Sequence, residues 1–245
     1  MLTVYTLWKR EIVRFYRQRS RVIGALVPPF ILWAFIGSGL SGSFNGGMEN
    51  ISYLQYFFPG TVVLVVFFTS IFSTISIIED RKEGFLQSVI VSPAPRWAIA
   101  LGKISGGATL AFVQGLSFMI LALFLKTQLT LSLFCMVLMR LALISIALTA
   151  LGFLIAWGMD STQGYHSIMN IFLMPMWFLS GAVFPMESAP LWLKWIMRLN
   201  PLSYGVSVVK QGFYPNYFLA MPVEINFLIM AAICIILTGV AAKKI

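Results

Sequence analysis

The chain has 245 residues, of which 59% are hydrophobic and only 10% charged, and its net charge is +9. A water-soluble domain carries roughly 25% charged residues, so this chain is too poor in charge to cover its surface for water. The basic excess lies at the ends of long apolar blocks. That fits membrane topology and anionic headgroups, and it excludes a nucleic-acid partner.

Taken in chain order, residues 1–21 are too polar to cross a bilayer. Val4, Trp8, Ile12 and Phe15 fall on one helical face, and Arg10, Arg14, Arg17 and Arg21 on another. The pattern predicts an amphipathic helix lying along the membrane interface, with its arginines reaching headgroups; the plainer reading is a basic tail. Nothing in this segment resembles the apolar core or cleavage site of a cleavable signal.

A span needs about 20 apolar residues. Six blocks are expected to qualify: 22–40, 55–78, 104–125, 131–157, 168–184 and 223–242, the fifth short and interrupted by Pro175. The expected fold is all-α, a single transmembrane domain over 1–245. With the N-terminus inside, twelve basic residues fall in inner segments and four in outer ones. The positive-inside rule therefore places both termini in the cytoplasm. Residues 185–222 carry Pro185, Pro190, Pro201, Pro215 and Pro222 around two apolar pieces too short to span. They read as an outer re-entrant hairpin, with an ordinary surface loop as the alternative.

Several sites of chemistry are excluded. Gly102-Lys103 is followed by Ile104 and lacks the upstream glycine of a phosphate-binding loop. Gly39-Leu40-Ser41-Gly42 has the look of a serine-protease motif, but Ser41 is expected at the outer face. His166, the single histidine, is expected at the inner face, about 30 Å of hydrocarbon away. Cys135 and Cys234 have no metal-ligand spacing and read as small apolar side chains. Gly102, Gly106 and Gly107 permit close helix contact. Arg140 would lie roughly 14 Å inside the fourth span, where a charge costs about 2.5–3.5 kcal/mol on insertion scales. Either it faces a cavity at a dimer interior and attracts an anionic group, or it snorkels outward. Phe67, Phe172 and Trp177, with other aromatics of the second and fifth spans, line a substrate path or face lipid.

The charged run Glu79-Asp80-Arg81-Lys82-Glu83-Gly84-Phe85-Leu86, followed by Ser92-Pro93, directly follows the second span on the inner side. It predicts a short helix, ended by the prolines, that offers a knob to a partner; a solvated loop is the bland reading. This run resembles the E-R-E-x-G pattern with a later S-P found in ABC-2 type permeases. Residues 178–205 resemble that family's late signature more closely, through Ser180, Gly181, Pro185, Pro190, Trp192, Leu193, Asn200, Pro201, Leu202 and Tyr204. Phe85 departs from the family's usual Thr.

The resemblance implies the permease subunit of an ATP-driven exporter in the plasma (inner) membrane. It works as a dimer with a second copy or a close paralogue, bound to a separate ABC ATPase subunit. ATP and Mg would be bound by that ATPase, and no cofactor by this chain. It implies that the 79–98 segment contains the coupling helix seated on the ATPase, aided by the N-terminal helix. The substrate would be hydrophobic or amphiphilic, drug-like or lipid. The alternatives are a polysaccharide or lipid-linked glycan in the same family and, outside it, an ion-gradient-driven secondary transporter. Against the last, the first five expected spans carry no acid, and Glu224 stands only at the mouth of the sixth.

Overall fold

The computed structural model describes residues 1–40, 52–125, 130–214 and 222–244. Ser41, Gly42, Lys126 and Pro215 lie outside the described residues, as does part of the expected outer hairpin. Every regular element among the described residues is helical.

Five helices are long and apolar enough to cross a membrane. They are α2 (Arg19–Gly39), α3 (Tyr53–Lys82), α5 (Arg96–Met119, prolonged by a 3₁₀ turn to Phe124), α6 (Leu131–Trp157) and α11 (Val223–Lys244). The apolar block expected over 131–157 ends where α6 ends. Elsewhere helices outrun their apolar blocks, most of all α3, where Glu79, Asp80 and Arg81 find partners within the protein and the backbone stays helical through them.

The helix α3 is the axis of the bundle. In its most apolar stretch 94% of residues are buried, against 17% for α2 and 22% for α11. It is started by a capping box, in which the Ser52 hydroxyl accepts from the Gln55 N–H and the Gln55 side chain accepts from the Ser52 N–H. Around it pack α2, α5, α6 and α10 (Pro201–Phe213). Its buried hydroxyls are satisfied locally. Thr61 and Thr69 donate to the carbonyls four residues earlier, and Thr69 also meets Gln114 of α5 at 2.6 Å. Where neighbours come closest, glycine makes room: a methyl group at Gly107 would lie 2.4 Å from the Ser73 hydroxyl, and one at Gly60 2.7 Å from Ala182.

The fifth apolar block is not one regular helix. It begins as α7 (Thr162–Ile168), widens into π-helix at Met169–Leu173, tightens to α8 (Met174–Trp177) and widens again at Phe178–Ala182. Pro175 has no N–H to give this ladder, and Gly181 closes the run with φ of 80°, a backbone region open to glycine at little cost.

Residues 185–214 hold two short helices, α9 (Leu191–Leu199) and α10, separated by Asn200. They lie by the Tyr53 end of α3: the Tyr53 hydroxyl donates to the Val183 carbonyl at 2.7 Å and Tyr56 to Gly181 at 3.2 Å. Residues 79–82 lie at the other end. A 30-residue helix is about 45 Å long, so these two ends are the opposite faces of the bundle.

Candidate functional site

The residues predicted to meet a partner gather at the Lys82 end, and the sequence alone divides them wrongly. Glu79 to Lys82 belong to the last turn of α3. The separate helix is α4 (Phe85–Val91), only seven residues long, joined to α3 through Gly84 at φ 77°. The left-handed glycine turns the chain sharply. Ser92 then adopts extended backbone and Pro95 opens α5. Leu86 is buried beneath the short helix, whereas Ile90, Val91 and Trp97 are exposed, Val91 by 87%. A small apolar knob therefore projects from this face.

The knob rests on a buried ion network contributed by three helices. Asp80, wholly buried, receives two hydrogen bonds of 2.7 Å from Arg10 of α1 (Leu2–Arg17) and further bonds from Arg14 and from Lys103 of α5. Lys103, also buried, pairs with Glu11 of α1 as well, and the Ser76 hydroxyl donates to Glu11 at 2.6 Å. Glu79 takes Arg14 at 2.8 Å and Arg21. Arg81 reaches across to the Trp157 and Met159 carbonyls and to Asp160, fastening α3 to the turn before α7.

Four cations against three carboxylates, all multiply bonded except Arg21 with its single bond to Glu79, make a connected array in which each charge has a partner to offset its desolvation. The hydrogen bonds that Arg10 gives to Asp80 hold its guanidinium above its ordinary pKa, so it stays a cation. Arg10 also lies 3.7 Å over the centre of the Phe85 ring. It thus joins the N-terminal helix to α4 directly.

This corrects the expected role of the N-terminal arginines. Arg10, Arg14 and Arg21 turn onto acids at the end of α3, while Arg17 stays exposed. A helix is present over Leu2–Arg17 and stops at Gln18, so that Arg21 belongs to α2. The inward stripe of α1 is Leu7, Glu11 and Phe15, laid along α5 at Gly102 and Gly106. A methyl group at Gly106 would stand 2.7 Å from Glu11 Cβ. Glu11 and Lys103 escaped the sequence reading. One signal was available: Glu11 is the only acid before residue 49, and it sits at i+4 and i−4 from two apolar residues.

The other predicted residues scatter. Arg140 neither snorkels nor opens onto a cavity: it is buried in α6 and donates to the Val208 carbonyl of α10 at 2.6 Å. Phe67 and Trp177 are interior to the protomer, Trp177 with its indole N–H on the Gly60 carbonyl at 3.1 Å, so neither offers a surface to a path between two copies. Phe172 is 67% exposed. His166 is exposed beside Phe72 and lines a cleft of about 290 Å³ between the start of α2, α3 and α7, together with Arg21, Glu79, Ile75 and Thr162.

The late motif builds the corner at the far face. Asn200 caps α10 by accepting from the Leu202 N–H and donates to the Met176 carbonyl. Pro201 opens α10, Pro190 and Pro185 precede the short helical turns, and the Tyr204 hydroxyl donates to the Arg198 carbonyl at 2.6 Å. Ser180 donates to the Trp177 carbonyl and Gly181 makes the left-handed turn. Trp192 and Leu193 lie on α9, Trp192 mostly exposed.

An all-helical bundle with five helices of spanning length, whose ion pairs among the described residues gather at one end, defines a multi-pass membrane protein. The chain belongs to the ABC-2 type transporter family, whose model matches residues 3–214. It is similar to the transport permease ycf38 of Cyanophora paradoxa, 28% identical over 84% of this chain and 72% of that protein. It is also similar to the inner membrane transport permease YadH of Escherichia coli K12, 25% identical over 85% and 81%. Nodulation protein J of Rhizobium meliloti is 26% identical over 84% and 76%. The chain is thus a membrane transport permease.

Proposed function

We propose that this chain is the membrane-spanning half of an ATP-driven exporter, and that α4 with its apolar knob is the seat of a separate ABC ATPase on the cytoplasmic face. The carrying observation is mechanical. The exposed Ile90 and Val91 stand on α4 and Trp97 on the start of α5, beside the buried ion pairs that join α1, α3 and α5, and Arg10 of that array lies over Phe85 of α4. A push on such a knob moves three helices together instead of bending a loop. The sequence carries no phosphate-binding loop, so the nucleotide chemistry belongs to the partner, which would bind ATP and Mg.

The positive-inside count supports cytoplasmic termini, with α4 inside and α9 outside. The run 162–182 then serves as a sixth span, its π-turns covered by α3 and α10. A hydrophobic or amphiphilic substrate fits the cleft at the inner end, where Phe72 and Ile75 adjoin Arg21, Glu79, Thr162 and His166. The exposed apolar faces of α2 (Phe30, Ile31, Phe35) and α11 (Ile235, Ile236) leave surface for a second copy.

The test uses surface variants, because deleting 79–92 would remove the buried Asp80 and unfold the protein. Co-expressed with its ATPase, the wild-type chain is expected to retain the ATPase through affinity purification. Ile90→Asp with Val91→Asp is expected to lose it while eluting as the same detergent-solubilised species. Full retention by the double variant would remove α4 as the seat.

A further inference from the structure

At the face opposite the ion network, α9 is joined to the bundle along one side only. Met197 is buried, and its methyl lies 3.7 Å from the position a Cβ would take on Gly181. Leu191, Trp192, Trp195, Ile196 and Leu199 are 73, 66, 58, 42 and 83% exposed. On a helix turning about 100° per residue these five make one continuous apolar stripe. Leu193 and Met197 make the inward stripe. Lys194 and Arg198, one turn apart, make a third between them. The helix has no acid. Nine residues are about 14 Å long, under half of a hydrocarbon core, so α9 cannot cross.

Its orientation is fixed at both ends. Pro190 precedes it, and after it Asn200 is tied to the Met176 carbonyl. Tyr204 takes the Arg198 carbonyl, while the Arg198 guanidinium lies 5.4 Å from the Trp195 ring centre. The Arg198 cation therefore lies beside Trp195, with Lys194 one turn earlier on the same edge of the helix.

We infer that α9 is a lipid-docking helix that seats an anionic phospholipid of the leaflet opposite α4. Leu191, Trp192 and Leu199 lie against the acyl chains near the headgroup level, and Lys194 and Arg198 hold the phosphate. Tryptophan pairs suit that depth, being apolar in body and polar at the N–H. Both charges of the helix have the sign that an anionic headgroup complements. A second copy is a poorer occupant. A two-fold interface sets the same patch against itself, so it would bring Lys194 and Arg198 of each copy together without an acid on the helix to offset them. The inference rests on the chain lying in a bilayer and is independent of the ATPase; it is tested without one.

The chain, reconstituted in vesicles, is mixed with phospholipids brominated either near the headgroup or at mid-chain, and tryptophan quenching is compared with that of Trp192→Phe with Trp195→Phe. The expected result is that the emission lost in the double variant is the fraction quenched best by shallow bromines. Emission from these two residues that no brominated lipid quenches overturns the inference. In parallel, wild type and Lys194→Gln with Arg198→Gln are released from vesicles of phosphatidylcholine with phosphatidylglycerol and weighed by native mass spectrometry. The variant is expected to keep several-fold less phosphatidylglycerol, and equal retention counts against the site. Leu199→Cys in a chain lacking Cys135 and Cys234 is expected to stay monomeric under oxidation in the membrane. Efficient disulfide-linked dimers there would mean that protein, not lipid, covers α9.

Discussion

The two faces of the bundle are held by different chemistry. At the Lys82 end, charge is paired with charge: Asp80, Glu79 and Glu11 against Arg10, Arg14, Arg21 and Lys103. At the Tyr53 end, side-chain donors are paired with backbone carbonyls. Asn200 takes Met176, Ser203 takes Leu179, Lys210 and Tyr56 take Gly181, and Tyr53 takes Val183. The difference follows from the helices beneath. Regular α-helix satisfies its own backbone and can devote its side chains to one another. The π-turned run 162–182 leaves carbonyls to be met from outside. A face tied by interlocking ion pairs moves as one piece. A face tied by single donors onto an irregular helix can exchange partners one at a time.

The largest expected effect breaks the first face. Asp80→Asn keeps the shape but leaves Arg10, Arg14 and Lys103 short of their shared acid. Breaking a buried pair by removing one partner costs about 3–5 kcal/mol. The thermal unfolding midpoint in detergent is expected to fall sharply. Adding Lys103→Met to Asp80→Asn is expected to cost less than the sum of the two single changes, since the Lys103–Asp80 pair is lost only once, while Glu11 keeps Arg10 and Ser76. Independent, additive losses from the two changes would mean that the array is not a network.

The second face is broken at Lys210. Its ammonium is buried, donates to the Gly181 carbonyl at 2.6 Å and stands 3.5 Å over the Tyr56 ring. Lys210→Met fills about the same volume and forfeits that bond, leaving the Gly181 carbonyl to Tyr56, for an expected loss of about 0.5–1.5 kcal/mol. ATPase retention should survive this variant, because Lys210 and α4 are at opposite ends of α3. If the ATPase is lost together with stability, the two faces are not mechanically separate.

The sequence revealed the helices far better than their ends. Apolar blocks of span length are a local signal, and 131–157 was read to the residue. The end of α3 was missed because Glu79 and Asp80 read as the start of a separate short helix. What keeps them helical and buried lies 58–70 positions earlier in Arg10, Arg14 and Arg21, and 23 later in Lys103. Such pairings are set by tertiary packing and have no local mark. For the same reason the N-terminal arginines read as headgroup ligands, and Arg140 as a residue that faces a cavity or snorkels outward, when its acceptor is a carbonyl on α10. Pro175 flagged an interruption in the fifth block. The π-turns themselves depend on donors from α3 and α10 that no periodicity records.

Smaller effects than that of Asp80→Asn separate packing from charge at the first face. Gly106→Ala alters no ionisable group, but its methyl would stand 2.7 Å from Glu11 Cβ, too close for the backbones of α1 and α5 to stay in place. Overpacking of this kind costs about 1–3 kcal/mol. Because Glu11 is the residue displaced, its bond to Lys103 is strained in the same event. The reference is Gly239→Ala in α11, where nothing lies within 4 Å of the new methyl. There only helix propensity acts, and the variant should be neutral or gain up to about 1 kcal/mol. Measured side by side by thermal unfolding in one detergent, the two alanines should shift the midpoint in opposite directions. Equal shifts would show that α1 rides loosely on α5, and the Lys82 face would then owe its cohesion to charge alone.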